Sequence, residues 1–474
     1  MTTDRTAAPE GAGPFETAGA GTAPSRGGPP WRAIAGAIGV LLIVAIVAAA
    51  LLMTRGETGT GTAPSGSAVA SPSLSGDPST SVTPHPTQSP TGSASAEPSG
   101  STPPGPIGRW AAAATFGSEG WAEEVRDLTY AAGHFIAIGY REPDGGRGQV
   151  GPPTDEPLIW ISTDGASWSR LELGAEFDGA HLASVVALPD GSAAIYGAIS
   201  ADDFSSATGG AWTSSNASDW TSVAIDQPEP TVLGRVADGG RGLLTLVRSN
   251  SQDGHQLWHS TDGLTWTSVR TIPDEDGTRR LNVVDYAAGP EGFVVTGYRS
   301  PLGGGVDGAT AFVLASADGD EWFEADPLLT PSPYHQRVAP VNGDWIVAAS
   351  AVDPAVTTWF SANGLDWEPR GQLEIPIPES EFEEASATLG TLVSTGERVM
   401  ASGAGVICCH GPWWAAGVWS SFDGGTWERL GFPDGTVVSA AAAHDGTIVL
   451  AGFDRARPQD EFKARAAFWV GVGD

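Results

Sequence analysis

The sequence predicts an all-β fold: a seven-bladed β-propeller closed by its own N-terminal strand, preceded by one transmembrane helix and a disordered stalk. Three observations carry that prediction. A seven-residue phrase, Ser-x-Asp-Gly-x-x-Trp, recurs six times between residues 162 and 427 with small departures, Asn replacing Asp at 216 and 363 and Ala replacing Gly at 217. Its Asp or Asn positions step by 52, 46, 56, 45 and 60 residues, a period that suits a four-stranded blade with its loops. Apolar hairpins precede the phrases, and a seventh hairpin follows the last of them.

The first 32 residues are rich in Gly, Ala, Pro and Thr and cannot build a core, so they read as a disordered cytoplasmic tail. Residues 33–53 hold no charged side chain and, as a helix, would reach roughly 31 Å, the thickness of a bilayer's hydrocarbon. Arg26 and Arg32 precede this segment, only Arg55 follows closely, and the next cation is Arg109. That asymmetry places the N-terminus in the cytoplasm and the rest outside. A cleaved signal peptide is the alternative, with Ala48-Ala49-Ala50 as a cleavage-like run, but the apolar core is too long for one. Residues 54–107 are dominated by Ser, Thr, Pro and Gly and read as a disordered stalk, holding the domain roughly 40 Å from the membrane if coil-like.

The propeller is assigned to residues 108–474. Its phrase joins two antiparallel strands, so its middle must reverse the chain. Asp or Asn bonds the backbone two residues on, and the following Gly accepts positive φ. The paired Asp/Asn and Trp positions are Asp164 and Trp168, Asn216 and Trp220, Asp262 and Trp266, Asp318 and Trp322, Asn363 and Trp367, and Asp423 and Trp427. A second aromatic stands two residues before the Ser: Trp160, Trp212, Trp258, Trp359 and Trp419, with Leu314 in the fourth copy. Such periodic tryptophans read as packing rather than as sugar-stacking platforms.

Seven hairpins against six phrases leave the last blade one strand short. Its third strand is AAFWVGV at 466–472, with Trp469 in the first-tryptophan place. The missing strand is GRWAAAATF at 108–116, with Trp110 in the second-tryptophan place. Zipping it into the last blade closes the ring and removes the sheet edges.

The phrase resembles the Asp-box, or bacterial neuraminidase repeat, of sialidase-like propellers. That resemblance implies the propeller and little about activity, since fold does not fix function. Sialidases carry an early Arg-Ile-Pro motif, two further arginines, and a late Tyr nucleophile with an acidic partner. Here neither Arg109 nor Arg126 is followed by Ile-Pro, Ile272-Pro273 follows Thr271, and the last tyrosine is Tyr334. No catalytic residue is carried over, and the catalytic residues stay unassigned.

Composition narrows the partners. The chain holds 56 acidic and 24 basic residues, a formal charge of −32, and Lys463 is its sole lysine. Phosphate backbones would be repelled, so nucleic acid is not an expected partner. The eight histidines form no HExxH pattern, and neither a cofactor nor a metal is expected. Asp274 to Gly277 only faintly resembles a calcium loop, and Glu379, Glu381, Glu383 and Glu384 read as a solvated surface.

Loops between strands two and three share a face with the links between blades; the phrase turns lie on the other face. Binding is expected on those variable loops, at 141–157, near 199–210, at 301–310, at 403–414 and near 454–465. The sixth blade's loop is the most unusual, carrying Cys408, Cys409, His410, Trp413 and Trp414. Outside the membrane the cysteines would form a strained vicinal disulfide; two thiols or a metal site are the alternatives. Trp413 and Trp414 lie outside the repeat positions and could grip a ligand with His410, or cover the loop's own underside. Three functions follow: an anchored binding scaffold for an extracellular protein, peptide or glycan, an exterior glycoside hydrolase, or a structural component of the envelope.

Overall fold

The computed structural model describes residues 107–117, 121–143, 156–200, 208–228, 231–248, 254–273, 279–302, 308–325, 335–350, 355–376, 385–407, 414–433, 436–455 and 464–473. It shows seven four-stranded antiparallel sheets. Strand β1 (Ile107–Phe116) stands apart from its successors in sequence. Blade 1 is β2–β5 (Trp121–Ala131, His134–Pro143, Glu156–Ser162, Ser169–Arg170). Blade 2 is β6–β9 (Ala180–Ala187, Ala193–Ile199, Thr208–Ser214, Thr221–Ser222). Blade 3 is β10–β13 (Val236–Gly239, Gly242–Arg248, His255–Ser260, Thr267–Ile272). Blade 4 is β14–β17 (Arg279–Gly289, Gly292–Pro301, Thr310–Ser316, Phe323–Glu324). Blade 5 is β18–β21 (Gln336–Val341, Asp344–Ser350, Ala355–Ser361, Glu368–Glu374). Blade 6 is β22–β25 (Ala385–Ser394, Val399–Ile407, Trp414–Ser421, Glu428–Leu430).

Blade 7 contains β26 (Thr436–His444), β27 (Thr447–Arg455) and β28 (Ala464–Gly473), and its fourth strand is β1. The register runs from Ile107 opposite Gly473 to Phe116 opposite Ala466. The closing strand expected from the sequence is therefore present, and so is the blade count.

Each turn phrase is built as its chemistry requires. In blade 1 the Gly165 N–H donates to Ser162 Oγ at 2.8 Å, and the Ala166 and Ser167 N–H groups donate to Asp164 Oδ1 at 2.9 and 2.7 Å. Asn216 and Asn363 accept the same pair of amides in their copies. Every phrase tryptophan donates its indole N–H to the carbonyl of the residue three before it, at 2.8–3.2 Å. The Gly position has φ between +69° and +88° where it is glycine, and Ala217 holds φ +62° in the second copy.

These turns also clip neighbouring blades together. A Cβ on Gly263 of blade 3 would lie 2.4 Å from Leu188 of blade 2, and one on Gly424 of blade 6 would lie 2.8 Å from Ile346 of blade 5. Trp160, Trp212 and Trp258 are fully buried between blades, as the periodic pattern predicts. Trp345 is buried as well and lies outside the phrase, so periodicity does not mark it.

Among the described residues no helix is long and apolar enough to cross a membrane. Residues 33–53, the tail, the stalk to residue 106, Asp274–Gly277, the run from Glu379 to Glu384, and Cys408 to Trp413 lie outside the described residues.

Candidate functional site

The innermost strand of each blade faces the central channel. In β2, β6, β14, β22 and β26 its pairing with the second strand is interrupted by a one-residue shift in register. Such a bulge turns the next side chain away from the ladder. Here that side chain reaches the adjacent blade.

A belt of contacts results, crossing all seven junctions. From blade 1 to 2, Asp127 accepts the Ser184 hydroxyl at 2.6 Å and the Val185 N–H at 3.0 Å. From 2 to 3, Ser184 Oγ lies 3.1 Å from the Val236 carbonyl. From 3 to 4, Arg235 pairs with Asp285. From 4 to 5, Asp285 accepts the Val338 N–H at 3.1 Å. From 5 to 6, Arg337 Nε donates to the Gly390 carbonyl at 3.0 Å. From 6 to 7, Thr391 and Ser402 reach the Val438 carbonyl at 2.6 and 3.0 Å. From 7 back to 1, Ser439 donates to the Val125 carbonyl at 2.7 Å, 314 residues away in sequence.

The electrostatics follow from this enclosure. Burial raises the Asp127 pKa, against the hydrogen bonds from Ser184, Val185 and Leu128. Ser184 has one proton for two acceptors. Asp238 is pushed up to about 6, first by enclosure and then by the Asp127 charge, while an Ala187 backbone hydrogen bond and Arg235 pull the other way. Its side chain still meets the water of the lumen, which softens that penalty. Enclosure also works against the Arg235 cation, but Asp285 beside it carries the net shift upward.

From the belt to the strand one–two turns, on the face of the turn phrases, the channel holds a cavity of about 750 Å³. Asp238, Arg235, Arg337, Ser394 and Ser439 contribute to its wall, with the strand one–two turns at Gly240, Pro290 and Gly396 around its mouth. A second hollow of about 560 Å³ lies between blades 1 and 2. Its apolar floor is Leu171, Leu173 and Phe177, and its flanks are Arg141 and Arg170. Arg141 donates to Glu156 at 2.7 Å and lies over the Trp121 ring at 4.9 Å, while Arg170 bonds the buried Glu123 at 3.0 Å. Among the described residues, no group of three or more His, Cys, Asp or Glu is placed to hold a metal ion.

Of the site residues expected from the sixth-blade loop, Cys408, Cys409, His410 and Trp413 lie outside the described residues. Trp414 is the first residue of β24 and pairs with Gly405. Sequence reasoning missed Asp127, Asp238, Asp285 and Arg235, because carboxylates inside short apolar strands carry no motif. Asp127 and Asp285 share one signal, an Asp at the seventh position of an eleven-residue first strand; Asp238 and Arg235 share none.

The fold is similar to several solved structures. Trypanosoma rangeli sialidase in complex with sialic acid matches at 12% identity over 74% of this chain and 54% of that one, with a TM-score of 0.35. An α-L-arabinofuranosidase from Fusarium graminearum matches at 10% identity over 61% and 92%, with a TM-score of 0.38. The phage phi92 endosialidase matches at 9% identity over 75% and 68%, also with a TM-score of 0.38. The chain spans about half the length of the trypanosomal sialidase. No protein-family model matches this chain, and no curated protein does.

Proposed function

We propose that this protein is a membrane-anchored, extracytoplasmic recognition scaffold for a protein, peptide or glycan. In this reading residues 33–53 span the membrane, the N-terminus is cytoplasmic, and the six turns are Asp-boxes. The observation that supports it is the belt. Asp127 takes two of its three hydrogen bonds from the next blade, and Asp285 pairs with Arg235 of the blade before it and accepts the Val338 N–H of the blade after it. Carboxylates held in this way stiffen a ring and are poorly placed to shuttle protons. A stiff ring with variable loops on one face suits recognition. The surfaces offered for recognition are the hollow flanked by Arg141 and Arg170 and the loop with Cys408, Cys409, His410, Trp413 and Trp414.

The test is a glycan and peptide array probed with residues 107–474 beside a Trp413→Ala/Trp414→Ala variant, together with fractionation of cells making the full chain. Specific binding and recovery with membranes are expected. Full-chain protein in the soluble fraction would remove the anchor, and binding unchanged by the double variant would remove the sixth loop from the site.

One observation favours a second reading, an exterior glycoside hydrolase. Asp238 faces the lumen with a pKa of about 6, as a general acid requires. Its neighbour Asp127 is already engaged with Ser184 and Val185, so the second carboxylate of a hydrolytic pair is committed elsewhere. Turnover of a fluorogenic sialoside, lost in Asp238→Asn, would establish this reading instead.

A further inference from the structure

We infer that the closing strand is a mechanical clamp: tension on the N-terminal tether is carried in shear by the whole β1–β28 ladder. The inference uses the anchored reading above for its physiological meaning. Its geometry rests on strand direction alone.

Strand β28 is the third strand of blade 7. It starts after the 456–463 loop, on the face of the variable loops, and ends at Gly473 on the face of the turn phrases. Strand β1 is antiparallel to it, with Ile107 opposite Gly473 and Phe116 opposite Ala466. The chain therefore enters the propeller on the phrase-turn face and crosses β1 to the opposite face. From there, residues 117–120 lead into β2 of blade 1. The strand ends that carry the variable loops lie on the face opposite the point of entry. The entry face also exposes Asp164, Asp262, Asp318 and Asp366, which an anionic lipid surface would repel. The tether, and not that face, is what would connect the propeller to a bilayer.

Antiparallel hydrogen bonds lie across the strands. A pull on Ile107 that leaves through the body of the propeller drags β1 lengthwise past β28, so the eight paired positions resist together. A pull between Ile107 and Gly473 enters at two adjacent ends and opens the same ladder one pair at a time. Identical contacts thus have a strong and a weak direction, and the tether uses the strong one. Closure is backed by side chains as well: Phe116 packs edge-on against Phe468 at 6.0 Å, and Ser439 of the same blade bonds to blade 1 at 2.7 Å. A partner held on the loop face and a membrane holding the stalk would pull along this strong path.

The experiment is single-molecule pulling on the full chain in detergent, with genetically encoded click handles at positions 101 and 463 in one sample and 101 and 474 in the other. Position 463 immediately precedes β28 and loads the ladder in shear; position 474 unzips it. At one loading rate the first rupture in the 101/463 sample should need about threefold more force or greater, because the bonds yield together rather than in turn. Equal rupture forces in the two samples would overturn the clamp. Detergent keeps the outcomes separable: equal forces remove the clamp and leave the anchor standing, whereas a full chain found soluble in cells removes the anchor and leaves the clamp standing.

Discussion

Replacing Asp285 by alanine tests the belt where it is most concentrated. Its carboxylate accepts the Tyr286 N–H at 2.9 Å and the Val338 N–H at 3.1 Å and pairs with Arg235, and the residue is 6% exposed. Alanine leaves two buried amides without an acceptor, each worth about 1–3 kcal/mol when orphaned. The Arg235 side chain is 49% exposed to the lumen, so its lost pairing adds only about 0–1 kcal/mol. A loss of about 3 kcal/mol follows for Asp285→Ala, and about half of that for Asp285→Asn, which keeps one acceptor oxygen. Urea unfolding of residues 107–474, followed by tryptophan fluorescence, measures it, with exposed Glu291→Ala as a control expected to stay within about 0.5 kcal/mol of wild type. If Asp285→Ala unfolds at the same urea concentration as Glu291→Ala, the belt does not hold the blades together.

Three further outcomes follow. Gly263 has φ +77° and its Cβ would lie 2.4 Å from Leu188, whereas Gly133 has φ +76° with open space around it. Gly133→Ala should therefore lose about 1 kcal/mol and Gly263→Ala about 2–4 kcal/mol in the same urea assay, because only the second adds a clash to the backbone strain. Asp164, held at about 2 by the Ser167 and Ala166 amides, stabilises its turn above the ordinary carboxylate range, and that stability is lost as pH falls from about 4 to 2. Asp164→Asn should flatten this part of the acid-unfolding curve, since Asn216 and Asn363 already accept the same amides without a charge. Asp238 runs the opposite way: its pKa is raised to about 6, so ionising it disfavours the fold as pH rises from about 4 through 6. Asp238→Asn should raise the melting temperature at pH 7.5 and leave it nearly unchanged at pH 4; an equal shift at both would show that its charge is not what matters.

Much of the architecture was readable because one turn repeats its chemistry. A left-handed position after an Asx side chain favours Gly after the Asp or Asn, with Ala217 the one departure, and the indole N–H bonded within the turn fixes a Trp four residues after that Asp or Asn. The missing strand could be found because a six-phrase, seven-hairpin count leaves β28 with an open edge. The belt was not readable for an equally physical reason. Asp127 and Asp285 gain their partners through bulges that shift side-chain direction by one residue, and those partners lie 53–58 residues away. Strand alternation alone sends such side chains to the wrong face. Strand β10 has only four residues and Arg235 precedes it, so no periodic signal marks that arginine. The loop residues His410 and Trp413 stood out by composition, which names chemistry without placing it.

The propeller is a ring sealed by residues 107–116. Scanning calorimetry of residues 107–474 beside residues 117–474 addresses that seal directly. The longer fragment should unfold in one sharp transition, and the shorter one should unfold at a lower temperature, with β28 left as an exposed edge that drives self-association. Matching transitions from two equally monomeric fragments would contradict the sealed ring.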